Sequence, residues 1–185
     1  RSEKIYLVSM QILKKVTGLE APEPIAAEIS LPKTEDFSGK KLIVGLNAIN
    51  DPGNLGTLLR TALALGWEGA FITKDSVDPF NDKALRAAKG ATFKLPLCFG
   101  SSHDLGQLIR KNRWHVYAAD MAGIPLAQIS IKMPLLLLLG NESHGIAENL
   151  KKQYELVSIP MSPKMESLNV SMAGAILMYS LKNVS

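Results

Sequence analysis

The stretch LIVGLNAINDPGNLGTLLR (residues 42–60) joins an apolar run directly to a helical pattern. The run at 42–47 is hydrophobic almost throughout, which is typical of a strand whose two faces are both covered. Asp51 and Pro52 then supply an N-cap and a first-turn proline, the usual signals for the start of a helix. The stretch therefore predicts a β-strand followed by an α-helix, the unit from which parallel sheets are built.

The same alternation continues along the rest of the chain. Strands are predicted at 42–47, 69–73, 114–120, 134–140 and 154–160. Helices are predicted at about 3–16 and at 54–66, 81–90, 102–113, 146–153 and 168–183. This pattern predicts an α/β fold with a mainly parallel sheet and helices on both faces. In such a sheet, the loops that follow the strands meet at the carboxyl edge, where ligands bind.

The composition is that of an ordinary globular chain, with 185 residues of which 46% are hydrophobic and 21% charged. A formal net charge of +4 permits a nucleic-acid partner without requiring one. Cys98 is the single cysteine, which rules out an intrachain disulfide and favours a reducing compartment. The apolar run at 135–139 is far too short to span a bilayer, so no membrane partner is expected. We expect a cytoplasmic location, with an organelle left open because the chain begins with Arg1 rather than methionine.

The first 35 residues differ in character from the rest. After the helix predicted at about 3–16, the stretch 18–39 is rich in proline, glycine and acidic residues, which is typical of a linker. We therefore divide the chain into a segment at 1–35 and a main domain at 36–185.

The helix that follows the first strand has an apolar side and a side of small residues. The apolar side, laid out at 100° per residue, carries Leu55, Leu58, Leu59, Ala62 and Leu65. The opposite side carries Gly53, Gly56, Thr57 and Arg60. Two interpretations follow. Either the glycines let a polar partner approach beside Arg60, or Asp51 and Pro52 only cap the helix and no ligand is involved.

Two later loops share this position after a strand. The loop GNESHG offers backbone amides as well as the side chains of Asn141 and Glu142. The loop MSPKMESLN places Ser167 and Asn169 beside the start of the last helix, where each either caps that helix or contacts a ligand. The last helix is apolar nearly all round, so it is either fully buried or packed against a partner subunit.

Other site chemistries explain less of the chain. Ser143 and His144 are adjacent, a spacing that rarely points two side chains at each other, and no G-x-S-x-G elbow accompanies them. His103 and His115 lack metal-ligand spacing, so no metal is expected. The glycines after the first strand match neither G-x-G-x-x-G nor a P-loop. Cys98 stands between apolar neighbours, which favours packing over catalysis.

One family resemblance accounts for all three loops. The chain resembles the SpoU (TrmH) family of RNA ribose methyltransferases, within the SPOUT superfamily, in three motifs and in their order and separation. These motifs are NDPGNLGTLLRTALALG (50–66), LLLLLGNESHGI (135–146) and VSIPMSPKMESLNVSMAGAI (157–176). The stretch KGATFKLP (89–96) is also similar to a segment between the first two motifs of such enzymes. The resemblance covers about residues 40–184.

The resemblance implies a parallel α/β sheet whose C-terminal part is threaded into a deep trefoil knot, the SPOUT fold. It implies a homodimer with the site at the subunit interface. It also implies S-adenosylmethionine as the cofactor, held by the second and third motifs, with no metal. The residues that it places against the cofactor are Gly140, Ile159 and Leu168, with Asn141 and Met161 nearby.

The resemblance further implicates Arg60 in activating a ribose 2′-hydroxyl. A guanidinium stays protonated in proteins, so Arg60 cannot be an ordinary general base. We expect it to bind an RNA phosphate and stabilise the developing alkoxide, while a phosphate oxygen or water takes the proton. Asn54 and Glu142 are expected to orient Arg60 or the ribose, unless Glu142 only forms an ion pair with Arg60. Ser167 and Asn169 are expected to shape the nucleotide pocket, unless they only cap the last helix.

The remaining expectations concern the RNA. The resemblance implies ribosomal or transfer RNA as the substrate. Ribosomal RNA is favoured because residues 1–35 look like the tail of a small RNA-binding domain, otherwise missing here, that precedes the catalytic domain in several members. Gly53 and Gly56 are expected to leave room for RNA beside Arg60. A basic run either follows a phosphate backbone or is a solvated helix face; it comprises Lys83, Arg86, Lys89 and Lys94. The alternative from another class is an RNA-binding protein that keeps the fold without catalysis.

Overall fold

The computed structural model describes residues 4–183. Its strands are β1 (Leu42–Leu46), β2 (Gly69–Thr73), β3 (Leu97–Gly100), β4 (His115–Pro125), β5 (Leu135–Leu139) and β6 (Glu155–Ser158). Its α-helices are α1 (Met10–Thr17), α2 (Pro52–Ala64), α3 (Asp82–Ala88), α4 (Ser102–Asn112), α5 (Glu148–Lys151) and α6 (Val170–Asn183). The chain divides into two compact units, Arg1–Pro32 and Lys33–Ser185, and the second contains every strand named here and the helices from α2 onward.

The six strands form one sheet in which every described pairing is parallel, in the order β3-β2-β1-β5-β4-β6. The mainly parallel sheet predicted from the sequence is confirmed. Strands β1 and β5 lie side by side at its centre, with Leu42 opposite Leu135 and Leu46 opposite Leu139. Every residue of β5 is buried, which explains why this strand consists only of leucine.

Helices cover both faces of the sheet, also as predicted. On one face, where α2 and α6 pack, Val44 of β1 shares a hydrophobic core with Leu177 of α6. On the other face, Ile43 of β1 shares a second core with Leu105 of α4 and Leu150 of α5. Neighbouring residues of β1 thus enter different cores, as the two-residue period of a strand requires. Within residues 4–183, no helix combines the length and the hydrophobicity that crossing a membrane requires.

Some elements differ from the sequence prediction. The sequence predicts no strand between the one at 69–73 and α4, yet β3 is present there as an edge strand; its four residues are too few to show a period. Strand β4 continues beyond the predicted 114–120 to Pro125, past a register shift between Ala119 and Ile124. Helix α5 has four residues and is shorter than the predicted 146–153.

Helix α1 begins later than predicted. Ser9 caps it, accepting a hydrogen bond from the Ile12 backbone N–H at 3.4 Å, so the prediction that the helix extends back through residues 4–9 is wrong. Residue 3, the predicted start, lies outside the described residues. The stretch 5–8 reads IYLV, and its β-branched and aromatic side chains disfavour a helix. The predicted linker at 18–39 contains neither helix nor strand.

Helix α6 is buried on one side only. Its buried side chains include Leu177, Met178 and Leu181. Its exposed side carries Met172, Ile176 and Tyr179, which are 54%, 42% and 61% exposed. The alternative of a fully buried last helix is therefore wrong, and an apolar strip of α6 faces outward.

Gly56 faces helix α3 rather than open space. A Cβ atom at this position would collide with the carbonyl oxygen of Ala84 and would lie 2.7 Å from the Cβ of Ala87 and 2.9 Å from the nitrogen of Ala88. The backbones of α2 and α3 touch here, and only glycine permits that approach. The expectation that Gly56 leaves room for RNA is wrong.

Replacing Gly56 with alanine is expected to lower the free energy of unfolding by about 1–3 kcal/mol, because the added methyl group forces α2 and α3 apart. Urea unfolding measures the change. The matched control is Gly106→Ala in α4, where the nearest atom to an added Cβ is the Arg110 Nη1 at 3.6 Å. That control should gain up to about 1 kcal/mol from helix propensity. Equal stability of the Gly56→Ala protein and the wild type would contradict the packing role.

Candidate functional site

Side chains from all three motifs meet in one hydrogen-bonded network at the carboxyl edge of the sheet. The Asn54 Nδ2 in the first turn of α2 donates to the Glu142 Oε1, in the loop after β5, at 3.1 Å. The Asn169 Nδ2, just before α6, donates to the Asn54 Oδ1 at 3.0 Å. The predicted convergence of the three loops is therefore observed, and Asn54 is its centre.

Helix capping coexists with this network. Asp51 caps α2, where its Oδ1 accepts from the Asn54 backbone N–H at 2.8 Å. The Asn169 Oδ1 accepts from the Ser171 backbone N–H at 2.8 Å at the start of α6. Asn169 therefore caps α6 and also reaches α2. Ser167 is exposed and makes no hydrogen bond to any residue that the structure describes, so the capping alternative is wrong for Ser167.

Arg60 stands apart from the network. It is exposed on α2 and forms neither a hydrogen bond nor an ion pair with any of the residues 4–183. The carboxylate of Glu142 instead accepts from the backbone N–H groups of Asn50 and Asp51, each at 3.3 Å. The alternative of a Glu142–Arg60 ion pair is wrong in this chain, and neither Asn54 nor Glu142 orients Arg60 by direct contact.

Glu142 is stabilised as a carboxylate. Burial alone raises the pKa of this group. Hydrogen bonds from its own backbone N–H, from the Asn54 side chain and from the backbones of Asn50 and Asp51 outweigh that effect. The pKa of Glu142 therefore lies below its ordinary value of 4.5.

A cavity of about 500 Å³ opens beside this network, at the carboxyl ends of β4, β5 and β6. We call it the cofactor cavity. Every residue predicted to contact a cofactor lines it: Gly140, Asn141, Ile159, Met161 and Leu168. Glu142 and Ser167 line it too. Asn54 and Asn169 are joined to the cavity through Glu142, whereas Arg60 is not part of either group.

The loop that forms one wall of the cofactor cavity is tightly folded. A Cβ atom on Gly140 would lie 2.5 Å from the carbonyl carbon of Gly145 and 2.6 Å from the nitrogen of Ile146, so this position requires glycine. Asn141 and Gly145 exchange backbone hydrogen bonds, and the Asn141 Nδ2 donates to the Ala48 carbonyl at 2.9 Å. The side chain of Asn141 therefore fixes the loop to the segment between β1 and the first motif.

Sequence reasoning missed the wall formed by β4 and α5. Asp120 pairs with Lys151 (Oδ2–Nζ 2.8 Å), and Lys151 also pairs with Glu148 (Nζ–Oε1 3.0 Å). Burial raises the pKa of Asp120, but hydrogen bonds from Lys151 and the Ala122 backbone outweigh it and leave the pKa below its ordinary value. A signal for Asp120 existed, because a polar residue that ends a predicted strand lies at the ligand-binding edge. The other missed lining residues include Ala119, Met121 and Glu166.

The remaining candidate side chains lie elsewhere or have structural roles. His103 is exposed on α4 and His115 is exposed at the opposite end of the sheet. Cys98 is buried in the core, which confirms its packing role. The backbone N–H groups of Ser143 and His144 both donate to Asn141, and no hydrogen bond joins their side chains. Among the described residues, no cluster of three or more His, Cys, Asp or Glu side chains could hold a metal ion.

The basic run near α3 is partly neutralised. Lys83 and Arg86 each pair with a nearby carboxylate. Lys89 and Lys94 form no ion pair with any residue in the described part of the chain. Half of the run is therefore engaged within the protein.

The fold and the site together define a class of protein: a parallel α/β domain whose carboxyl-edge loops enclose a cavity of a size suited to a small molecule. Residues 41–179 match the sequence profile of the SpoU rRNA Methylase family, and the chain belongs to that family. The family predicted from the three motifs is thereby confirmed.

Individual relatives agree with this family. The chain is 32% identical over 179 residues to the 23S rRNA (guanosine(2553)-2'-O)-methyltransferase RlmP of Bacillus subtilis, a match that covers 96% of this chain and 72% of that protein. The AdoMet-bound rRNA methyltransferase from Sinorhizobium meliloti is 27% identical with a TM-score of 0.80, over 95% of this chain and 70% of that one. The SpoU methyltransferase AviRb from Streptomyces viridochromogenes, in complex with the cofactor AdoMet, is 28% identical with a TM-score of 0.73, over 83% and 62%.

The pKa of Glu142 provides a test of the network. Replacing Asn54 with alanine removes one donor, so the Glu142 carboxyl should titrate closer to 4.5 than in the wild type. Carbon-13 NMR of the side-chain carboxyl measures both midpoints. Because the folded-state pKa is lowered, Glu142 adds stability above its unfolded-state pKa, and this stability is lost as the pH falls through the folded-state value.

The control for this test is Asn50→Ala, because only the backbone N–H of Asn50 bonds to Glu142. Its titration midpoint should equal that of the wild type. An unchanged midpoint in the Asn54→Ala protein would show that the Asn54 amide does not stabilise the carboxylate.

Proposed function

We propose that this protein transfers a methyl group from S-adenosylmethionine to a ribose 2′-hydroxyl of ribosomal RNA. One observation carries the proposal: Glu142 belongs both to the wall of the cofactor cavity and to the network with Asn54 and Asn169. A small-molecule site and a polar cluster suited to a ribose therefore meet at one residue. Membership of the SpoU rRNA Methylase family supports the same reaction.

The cofactor cavity fits S-adenosylmethionine in size and in chemistry. Its volume of about 500 Å³ lies within the range of roughly 300–1,000 Å³ found for small-molecule sites. Its wall combines apolar side chains such as Leu139, Ile159 and Leu177 with the backbone of the GNESHG loop, a surface suited to a purine and a sugar. S-adenosylmethionine, when bound, supplies a methyl group that is already electrophilic. Two solved relatives are described as bound to this cofactor.

In this proposal, Arg60 binds the RNA substrate. Its permanent charge is exposed and engaged by no described residue, so it is available to an RNA phosphate and to the developing alkoxide. Neither Arg60 nor Glu142 suits the role of proton acceptor, since a guanidinium stays protonated and the pKa of Glu142 is lowered. The proton therefore passes to a phosphate oxygen or to water. Asn54, Ser167 and Asn169 position the target nucleotide with Glu142.

Ribosomal RNA is the favoured substrate over transfer RNA. The Bacillus subtilis and Sinorhizobium meliloti relatives are both named for ribosomal RNA, and each match covers nearly the whole of this chain. Both come from bacteria, whose ribosomes lie in the cytoplasm. We place the activity in that compartment, in agreement with the single buried cysteine.

We propose a homodimer that forms through α6. Met172, Ile176 and Tyr179 follow one another at spacings of four and three residues, so they form one apolar strip on the outer side of the helix. Exposed apolar strips of this kind are typical of protein interfaces. The strip supports a subunit contact next to α2, which packs against α6 and carries Arg60.

The trefoil knot and the role of the first segment are also part of the proposal. Strand β6 pairs with β4 at the edge of the sheet, whereas α6 packs on α2 near its centre. The segment between them therefore runs from the edge strand to the centre of one face, and we propose that the C-terminal part is threaded there. For residues 1–35, we propose membership of an RNA-recruiting domain. Its apolar side chains at Ile5, Tyr6 and Leu7 are largely exposed, as expected of a segment that packs on further structure.

Replacing Arg60 with alanine or with lysine is expected to reduce methyl transfer to an unmodified 23S ribosomal RNA transcript by about 100- to 1,000-fold. Alanine removes the charge, and lysine lacks the planar fork that binds a phosphate through two hydrogen bonds. Transfer of a tritiated methyl group measures the rate. Cofactor affinity, measured by calorimetry, should stay unchanged because Arg60 does not line the cofactor cavity.

The matched control for Arg60 is Arg110→Ala, which removes an exposed arginine from α4 on the other face of the sheet. Normal methyl transfer by both Arg60 variants would refute the role of this residue. Failure of the wild-type protein to bind the cofactor would instead favour the RNA-binding protein without catalysis.

Replacing Ile176 with glutamate is expected to convert the dimer into monomers, because a charge in the centre of the apolar strip cannot be buried without a partner. Light scattering coupled to size-exclusion chromatography measures the mass. The control is Met133→Glu, at a methionine that is 36% exposed and lies outside α6. A wild-type protein that is monomeric at all concentrations would refute the dimer, as would a dimer that survives Ile176→Glu.

A further inference from the structure

A second cavity, of about 390 Å³, lies on the other side of the GNESHG loop from the cofactor cavity. We call it the β1 cavity, because Asn47 and Ala48 follow directly after that strand. The loop separates the two cavities, since Asn141, His144 and Gly145 line both of them. The other lining residues are Asp75, Ser102, Ala147 and Leu150. The function proposed above uses only the cofactor cavity, so the β1 cavity is left without a role.

Asn47 gives the β1 cavity an accessible hydrogen-bond donor. This residue is only 8% exposed, and its Oδ1 accepts from the Ser102 Oγ at 3.4 Å. Its Nδ2 donates to no residue that the structure describes. The Asn47 Nδ2 is not among the fully enclosed side-chain atoms without a partner, so it is open to the β1 cavity, where the acceptor of a ligand can reach it.

The charge of the β1 cavity selects a neutral ligand over a phosphate. None of the described lining residues is a lysine or an arginine, and Asp75 contributes a carboxylate at the exposed rim. A phosphate would be repelled here, whereas a group with N–H donors would be attracted. Ala147 and Leu150 add an apolar wall against which a flat ring can pack. These features describe a nucleobase that presents donors on one edge and acceptors on another.

Guanine is the base that matches this set of groups. Its Watson–Crick edge carries two N–H donors for a carboxylate such as Asp75, and its O6 and N7 are acceptors for the Asn47 amide. Adenine and the pyrimidines lack that pair of adjacent donors. We propose that the β1 cavity receives a guanine base of the RNA substrate, read by Asp75 and Asn47. This inference rests on the proposed function, in which RNA is the substrate.

The position of the β1 cavity fits such a role. The loop that forms its wall also carries Glu142, which lies in the network with Asn54. A guanine in the β1 cavity and a methyl donor in the cofactor cavity would therefore flank the same loop. The β1 cavity would provide specificity for the RNA sequence, and S-adenosylmethionine in the cofactor cavity would provide the methyl group.

The test uses nitrogen-15 NMR of the protein titrated with GMP, with IMP and UMP as comparisons, while S-adenosylhomocysteine saturates the cofactor cavity. All three nucleotides carry the same phosphate, so differences report on the base. We expect GMP to shift the side-chain amide signals of Asn47. IMP lacks the exocyclic amine of guanine and should bind about tenfold more weakly. Asp75→Asn should weaken GMP binding by about the same factor, because a neutral amide no longer accepts from both donors.

The matched control is Asp78→Asn, an exposed acidic residue in the same loop that does not line the β1 cavity. It should bind GMP like the wild type. Binding of S-adenosylhomocysteine should be equal in all three proteins. In methyl transfer to the RNA transcript, Asp75→Asn should raise KM more than it lowers kcat.

The outcomes separate the two proposals. Absence of GMP-dependent shifts at Asn47, equal affinity for GMP and IMP, or unaltered GMP binding by Asp75→Asn would each overturn the guanine site while leaving methyl transfer intact. Failure of the wild type to bind S-adenosylhomocysteine or to methylate RNA would overturn the proposed function. The GMP titration without S-adenosylhomocysteine would still decide whether the β1 cavity binds guanine.

Discussion

The side-chain amide of Asn54 is the contact on which the rest of the site depends. It donates to Glu142, 88 residues away along the chain, and accepts from Asn169, 115 residues away. An amide is suited to this position because it is both a donor and an acceptor, which neither a carboxylate nor an apolar side chain of the same size is. The loop that carries Glu142 separates two cavities, and the loop before Asn169 closes one of them. The positions of both loops therefore follow from the start of α2, which Asp51 fixes by capping.

The architecture was accessible from the sequence because its strands are buried on both faces. A run of leucines such as 135–139 has few alternatives to a central strand of a parallel sheet, and the helices between the strands then cover its two sides. Parallel strands also bring the loops that follow them to one edge, which is why the sequence alone groups Asn54, Glu142 and Asn169. The errors of the sequence prediction are local. Strand β3 is not predicted because it is too short to show a period, and α1 starts at a serine cap later than its apolar pattern indicates.

The parts that could not be predicted depend on contacts between distant elements. From the sequence, Gly56 is expected to be an exposed small residue on α2. In the structure α3 packs against it, a contact that the sequence of α2 does not predict. Lys151 lines the cofactor cavity and pairs there with Asp120, a pairing that sequence spacing does not reveal. The Asn47 side-chain N–H donor that is open to the β1 cavity can be identified only when the partners of this residue and the cavity are both known. Sequence patterns thus indicate which edge of the sheet carries the candidate site. Packing decides which side chains there keep a hydrogen-bond donor or acceptor free for a ligand.

The separation of Glu142 from Arg60 has a consequence for the chemistry. Three neighbouring N–H groups, two from the backbone and one from Asn54, stabilise the carboxylate without a cation. If Arg60 supplied that stabilisation, its charge would be neutralised within the protein and its guanidinium would be occupied before RNA arrived. Neutral donors stabilise the Glu142 carboxylate and leave the charge of Arg60 available for the proposed contacts with a phosphate and an alkoxide. The same donors lower the pKa of Glu142, which makes its carboxylate a weaker base. One set of hydrogen bonds is therefore compatible with both proposed roles, in which Glu142 positions the ribose and Arg60 stabilises the negative charge that forms on it.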